Sequence, residues 1–252
     1  MRRALLPTLV LLSFALAPLA AQRRTFERIR HYFDGSDALE IGLVGGPNRN
    51  TVTGAGPVDP KIRGLLGGYL SVPIAGGLRL RPEVLVSGKL VGFPNEILVP
   101  PCLPPGGCLP ISGQETASFT WLEAPILLET RFHRALGGWG TPRIYGGPFV
   151  AVRLACSFST PASAQPAPLN GTVPQLVQSC NAADGSSTRY NNGDAGFVIG
   201  GAISTGGIGL GFRWTRSLVP IAPDQSVLTG SRLIGAKNST LAVTLEIGTR
   251  LR

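Results

Sequence analysis

Histidine, cysteine and charge are scarce in this chain of 252 residues. There are two histidines, four cysteines and charged side chains at 15% of positions. Two histidines, with cysteine spacings that fit no zinc pattern, leave little material for a metal enzyme. So low a share of charge is unusual for a water-soluble domain. We therefore expect no catalytic residues, no metal and no cofactor.

Long apolar runs are also missing after the first 21 residues, because glycine, proline or a charge interrupts each stretch within about ten residues. Yet mean hydropathy is positive, at +0.21. Such a chain must bury its apolar residues in a core or expose them to lipid. Within lipid, only helices and closed barrels satisfy every backbone hydrogen bond.

Residues 1–21 have the order of charges and apolar residues that is typical of a secretory signal peptide. Arg2 and Arg3 precede the apolar run from Leu5 to Leu16, and Leu19-Ala20-Ala21 offers small residues for cleavage. The alternative is an N-terminal membrane anchor, but Pro7 and Pro18 shorten the run below the roughly 20 residues that a spanning helix needs. We expect cleavage after Ala21 and a short periplasmic segment over residues 22–37.

The last strand shows the period of the remaining chain most clearly. From Thr240 to Arg252, leucine, valine and isoleucine alternate with threonine, glycine, glutamate and arginine. Period-two alternation over more than ten residues predicts a strand long enough to cross a membrane. The same pattern begins near Ala38, Arg63, Leu78, Leu122, Ile144, Ala195 and Gly207.

These patterns predict an all-β fold, an eight-stranded antiparallel up-and-down transmembrane β-barrel over residues 38–252. The connections support it, because short turns and longer loops are expected to alternate strictly along the chain. The short turns fall near residues 74–77, 133–142 and 205–206, and the longer loops near 53–62, 91–117, 159–189 and 219–238. Outer-membrane barrels have short periplasmic turns and long external loops. An even strand number then places both chain ends in the periplasm.

The polar face of these strands carries charges that are expected to point into the barrel. One interpretation is a gated or selective channel, and the other is a lumen plug of paired charges. Eight strands leave room only for packed side chains, which favours the plug. The predicted lumen charges are Glu40, Arg79, Arg81, Glu83, Lys89, Glu123, Glu129, Arg131, Arg153, Arg213, Glu246 and Arg250.

The four cysteines are expected to form disulfides, because the outer envelope is oxidising. Cys102 and Cys108 bracket a loop rich in proline and glycine, and Cys156 and Cys180 bracket the longest loop. Local pairing within each loop is the simplest of three connectivities.

Several aromatic residues fall near predicted strand ends, where amphipathic rings prefer the level of the lipid headgroups. Ordinary core packing is the alternative for the same residues. They are Phe119, Trp121, Phe132, Trp139, Phe158, Phe212 and Trp214.

The order of motifs resembles the PorT-like family of outer-membrane β-barrel proteins, which is related to the OmpA-type eight-stranded barrels. The most specific part is Trp121-Leu122-Glu123-Ala124-Pro125-Ile126-Leu127-Leu128, followed by Tyr145-Gly146-Gly147-Pro148. The resemblance covers residue 38 to the end and implies a barrel in the outer membrane, without an assigned activity. Many such barrels end in an aromatic residue that the insertion machinery reads, whereas this chain ends in Leu251-Arg252.

The sequence therefore predicts a non-enzymatic envelope protein of a two-membrane bacterium, whose barrel displays disulfide-tied external loops. Outer-membrane lipids and the barrel insertion machinery are the expected partners. No nucleic-acid module is visible in the sequence, and the arginines alternate inward rather than forming a basic stripe, so we expect no nucleic-acid partner. The alternatives are a transport or secretion accessory that passes or binds a small solute, and a soluble periplasmic barrel that binds an apolar ligand.

Overall fold

The structure is a computed structural model, and it describes residues 38–54, 58–75, 77–96, 112–132, 140–161, 175–179, 190–222 and 235–251. The predicted signal peptide (1–21) and the periplasmic segment (22–37) lie outside the described residues. Among the residues that are described, no helix is long and apolar enough to span a membrane.

The described chain forms antiparallel strands that close on themselves. Eight of them pair in the order β4-β3-β2-β1-β9-β8-β7-β5, and β4 also pairs with β5, which closes the barrel. The strands are β1 Leu39–Thr53, β2 Asp59–Ala75, β3 Leu78–Glu96, β4 Ser112–Arg131, β5 Thr141–Pro161, β6 Gln175–Ser179, β7 Gly193–Thr205, β8 Ile208–Ser217 and β9 Lys237–Leu251. The predicted closed eight-stranded antiparallel barrel is confirmed.

The ninth strand was not predicted from the sequence. β6 pairs only with the end of β5, from Ser157 opposite Ser179 to Pro161 opposite Gln175. It lies within the stretch expected to be an external loop. Its five residues, Gln175–Ser179, are too few for period-two alternation to stand out in the sequence.

The hairpin of β3 and β4 extends further than expected. The sequence predicted a loop from about Val91 to Ala117, but these strands stay paired up to Glu96 opposite Ser112. Proline and glycine near this end of the hairpin interrupt the apolar alternation without ending the backbone pairing.

The two ends of the barrel differ. At one end, here called the turn end, β1 begins beside the end of β9, with Leu39 opposite Leu251. The same end carries the two-residue turn from β7 to β8, where Gly206 and Gly207 have φ angles of 57° and 90°. Two positive φ angles match the tight turns that join twisted strands, and glycine adopts them without strain. The other end is called the loop end.

Connection lengths follow the predicted pattern only in part, because short and long connections do not alternate strictly. The β1–β2 connection at the loop end spans residues 54–58, whereas the β4–β5 connection at the turn end spans residues 132–140. The connection that was predicted to be a short turn is therefore longer than one that was predicted to be a long loop. The glycine and proline content by which both were recognised marks a connection but does not set its length.

Glycines on the inner face make room for two tyrosine rings. A Cβ atom on Gly200 would lie 2.5 Å from the ring of Tyr145, and one on Gly42 would lie 2.5 Å from the ring of Tyr69. No side chain fits at such distances unless the ring moves. The glycines on the inward face of the strands therefore leave the space that larger lumen side chains occupy.

Candidate functional site

The barrel has the reverse of the usual distribution of polarity. Its outer wall exposes large apolar side chains from all eight barrel strands, and charged side chains are buried within. Examples on the outer wall are Leu43, Leu66, Val84, Ile126, Val150, Ile199, Leu210 and Leu245. An apolar surface that surrounds the whole molecule is far larger than the patches that water-soluble monomers expose.

Arg81 is the centre of the main charge cluster in the lumen. Its guanidinium contacts three carboxylates: Nε lies 2.8 Å from Glu83, Nη1 lies 3.0 Å from Glu129, and Nη2 lies 2.8 Å from Glu246. None of the four side chains is more than 1% exposed. Ions taken out of water at this depth are stable only when each has partners of opposite charge.

Three further arginines complete this cluster on the same carboxylates. Nη1 of Arg213 lies 2.6 Å from Glu83, and Nη2 of Arg143 lies 2.5 Å from Glu246. Arg131 lies 2.6 Å from Glu129 through Nε and 2.7 Å from Glu40 through Nη1.

The cluster is electrically balanced. Its ion pairs join four arginines, Arg81, Arg131, Arg143 and Arg213, to four glutamates, Glu40, Glu83, Glu129 and Glu246. Four positive and four negative charges sum to zero, so the cluster carries no net charge.

Aromatic rings flank the central guanidinium. The Cζ atom of Arg81 lies 3.9 Å from the ring centroid of Tyr69 and 5.2 Å from that of Tyr145. The Tyr69 hydroxyl also donates a 2.8 Å hydrogen bond to Glu40. Ring faces attract cations, and their bulk fills space that water would otherwise occupy.

A second, smaller group of charges lies nearer the loop end. Nζ of Lys89 lies 3.0 Å from Glu123 and 3.7 Å from Asp194. The Ser217 hydroxyl donates a 2.6 Å hydrogen bond to Asp194. The Trp121 ring lies 5.4 Å from Lys89 Nζ, so an aromatic face again covers a buried cation.

Three of the predicted lumen charges lie apart from these ion pairs. Arg79 is buried and donates to the Ser71 hydroxyl at 2.7 Å and to the backbone carbonyl of Ala38 at 2.7 Å. Arg153 donates to the Asn192 side chain at 2.5 Å and forms no ion pair with any described residue. Arg250 is exposed at the turn end.

Sequence reasoning missed two members of these clusters. Arg143 was not included among the predicted lumen charges. Asp194 precedes the expected start of its strand near Ala195, although β7 already begins at Gly193. Arg143 lies on the same strand face as the buried Tyr145, and Asp194 on the same face as the buried Val198. Starting each predicted strand one residue earlier would therefore have placed both side chains in the lumen.

The loop end of the lumen is filled by aromatic packing. Phe119 and Trp121 are buried there, although the sequence suggested the headgroup level for them. The Phe158 and Tyr190 rings stack at 5.0 Å, and Phe119 meets both edge-on, at 6.3 Å and 5.8 Å. Phe119 and Trp121 alternate in step with Glu123 on β4, so their side chains point into the lumen even though they lie near a strand end. Phe212 and Trp214 do face outward, and Trp139 lies outside the described residues.

Cys156 is the one cysteine among the described residues, and it is disulfide-bonded. Cys102, Cys108 and Cys180 lie outside those residues, so the pairing stays a prediction. The described side chains include no group of three or more histidines, cysteines and acids that could hold a metal ion.

A cavity of about 600 Å³ opens at the turn end. Its lining includes Glu40, Tyr69, Arg131 and Arg143 from the main charge cluster, together with the exposed Arg250. The ion-pair cluster therefore forms one wall of this cavity.

No protein-family model matches the chain, and no curated protein matches it. Several solved structures are similar to it. One is Ail, the attachment invasion locus protein of Yersinia pestis, in complex with the heparin analogue sucrose octasulfate, with a TM-score of 0.41 and 7% identity over 84% of this chain and 99% of that one. Another is Neisserial surface protein A, with a TM-score of 0.36 and 9% identity over 85% of this chain and 99% of that one. A third is the outer membrane protein OprG from Pseudomonas aeruginosa, with a TM-score of 0.39 and 9% identity over 87% of this chain and 100% of that one.

Replacing Arg81→Met tests whether the charge cluster stabilises the barrel. The change leaves Glu83, Glu129 and Glu246 short of a partner, which should lower the free energy of unfolding by about 3–5 kcal/mol. Urea titration of the detergent-folded protein, followed by heat-modifiable gel migration, measures this loss. Arg250→Met is the matched control, because that exposed arginine should cost no more than about 0.5 kcal/mol. Equal stability of the two variants would show that Arg81 does not hold the cluster together.

Proposed function

We propose that this protein is a non-enzymatic outer-membrane β-barrel of a two-membrane bacterium. Its lumen is closed by paired charges, and its role is structural, in surface contacts or in envelope integrity. The observation that carries the proposal is the reversed polarity of the barrel, with apolar side chains outside and ion pairs within. Lipid is the surroundings that such an outer wall requires. Membership of the PorT-like family remains part of the proposal and rests on the sequence motifs.

The height of the apolar wall fits a membrane. On three strands the outward apolar side chains begin and end ten residues apart, from Leu122 to Phe132, from Ile144 to Leu154 and from Leu241 to Leu251. Ten steps of about 3.3 Å span about 33 Å along a strand, or about 25 Å along the axis at a tilt near 40°. Transmembrane barrels have an apolar band of about 25 Å.

Successive layers of side chains fill the described part of the lumen. The inward residues of β3 run from the turn end to the loop end as Arg79, Arg81, Glu83, Leu85, Ser87, Lys89 and Val91, and all are buried. The aromatic group around Phe119 and Tyr190 follows at the loop end. Filling of this kind supports a plug rather than a channel, since eight strands enclose little more than their own side chains.

The loop end is proposed to face the exterior, because long loops are external and chain ends periplasmic in such barrels. The bonded state of Cys156 supports disulfide-tied loops in an oxidising compartment. The proposed pairs are Cys102 with Cys108 and Cys156 with Cys180.

A soluble barrel with an apolar ligand inside is a poorer alternative. That function needs an apolar inner face, whereas the inner face holds the ion pairs of Arg81 and Lys89. The outward apolar side chains would then be exposed to water without a partner.

A small-solute accessory is the second candidate, and the cavity at the turn end favours it. That cavity of about 600 Å³ is large enough for a small molecule and is lined by Arg131, Arg143 and Arg250. It would bind a solute at one mouth of the barrel, while passage would require the charge cluster to open.

Two readings on one sample test the main proposal. The protein extracted from the outer-membrane fraction should migrate differently on a denaturing gel before and after boiling, because a closed barrel stays folded in detergent. The same protein in a planar lipid bilayer should give no unitary current steps. Stable steps would favour the transport alternative, and a soluble periplasmic protein with no gel shift would contradict the membrane assignment.

A charge placed on the outer wall should interfere with insertion in proportion to its depth. Leu245→Arg puts a cation in the middle of the apolar band and should cost about 2–4 kcal/mol of folding free energy in lipid vesicles. Leu251→Arg, three outward positions nearer the turn end, lies at the rim of the band and should cost about 0–1 kcal/mol. The measurement is urea-dependent folding into vesicles. Equal costs for both variants would show that Leu245 does not face lipid.

A further inference from the structure

Charges of the two signs are distributed differently between the inside and the outside of the barrel. Of the carboxylates whose side chains the structure describes, Asp59 alone is exposed, and the others are buried in the lumen. The buried carboxylates are Glu40, Glu83, Glu123, Glu129, Asp194 and Glu246. Six described cations, in contrast, are exposed or half-buried: Arg49, Lys61, Arg63, Arg216, Lys237 and Arg250. The outside of the barrel is therefore basic.

Three of these cations lie on neighbouring strands near the loop end. Arg216 on β8 is opposite Ser239 on β9, Lys237 on β9 is opposite Thr53 on β1, and Arg49 on β1 is opposite Leu241 on β9. Arg49, Arg216 and Lys237 are called the outer basic patch below. Strands lie about 4.8 Å apart and residues rise about 3.3 Å each, so the Cα atoms of the patch are about 8–14 Å from one another. Side chains of this length can converge on one phosphorylated headgroup.

Trp214 marks the height of the patch on the outer wall. It is half-buried, faces outward and is opposite Leu241, level with Arg49. Its indole Nε1 donates a 3.1 Å hydrogen bond to the Ser239 hydroxyl, and its ring meets Phe197 edge-on at 5.4 Å. A tryptophan with an apolar body and a satisfied polar edge is typical of the membrane–water interface. The apolar band begins beside it, at Leu241.

No described carboxylate neutralises the patch. Arg49, Arg216 and Lys237 form no ion pair with any residue in the described ranges, whereas the lumen cations Arg81, Lys89, Arg131, Arg143 and Arg213 all do. The exposed Asp59 lies on β2, beyond the strands that carry the patch. Cations at the interface that lack an internal partner are complementary to anionic headgroups.

We propose that the outer basic patch binds the phosphate groups of anionic lipids in the leaflet at the loop end. The inference rests on the membrane position proposed above. Arg216 and Lys237 would contact a phosphate above the Trp214 ring, and Arg49 would contact it from the level of that ring. Guanidinium groups suit this ligand because their fork of N–H donors matches phosphate oxygens.

Trp214 provides a local reporter for the test. The protein has three tryptophans, and Trp121 is buried in the lumen. In a Trp139→Phe background, quenching by lipids with brominated acyl chains therefore reports on contact with Trp214. The folded protein is placed in phosphatidylcholine vesicles that contain either brominated phosphatidic acid or brominated phosphatidylcholine. The ratio of the two quenching efficiencies gives the preference for the anionic headgroup.

The protein should prefer phosphatidic acid, and Arg49→Gln with Arg216→Gln should reduce that preference by about fivefold per arginine removed. Arg63→Gln with Arg250→Gln is the matched control, because the Arg63 side chain donates to Ser118 on β4, on the side away from Trp214, and Arg250 lies at the turn end. This control should keep the preference. Free inorganic phosphate at the same concentration as the lipid phosphate should not compete.

Each other outcome overturns the proposal in a recognisable way. Equal quenching by both lipids would mean that the patch does not bind phosphate, although the barrel lies in the membrane. Equal loss in both double variants would mean a diffuse charge effect rather than a site, and competition by inorganic phosphate would point to a soluble anion. Quenching by neither lipid would contradict the membrane position itself.

Discussion

The rest of the structure depends on the ion pairs between Arg81 and the carboxylates of Glu83, Glu129 and Glu246. A closed barrel of eight strands has an interior only as wide as its side chains. Charges placed there are cut off from water, so each needs a neighbour of opposite charge or a hydrogen-bond acceptor. Glycines such as Gly200 on the same face provide the space for the rings that pack around the cluster.

The same constraint accounts for the outer wall. Because the inner face is taken up by ion pairs and aromatic packing, the apolar residues of each strand must face outward. Their band is about as high as the hydrocarbon layer of a bilayer. Apart from Asp59, the described carboxylates lie inside, and Arg49, Arg216 and Lys237 on the outer wall form no ion pair with any described residue.

Period-two alternation was enough to predict the number of barrel strands and the direction in which their side chains point. It did not reveal β6, which is only five residues long, or the full length of β3 and β4. It also could not say which charges pair, since Arg213 and Glu83 are 130 residues apart in sequence. Trp121 was predictable from its parity with Glu123, but its position near a strand end suggested the wrong environment.

The central claim is that Arg81 and its three carboxylates are sealed from water, and the exchange rate of the Arg81 guanidinium protons tests it most directly. In the folded protein in detergent micelles, NMR can follow exchange of the Nε proton of each arginine with solvent at neutral pH. The account predicts a persistent, slowly exchanging signal for Arg81, and exchange too fast to observe for the exposed Arg250. Equally fast exchange at both arginines would show that water fills the lumen and would contradict the sealed plug.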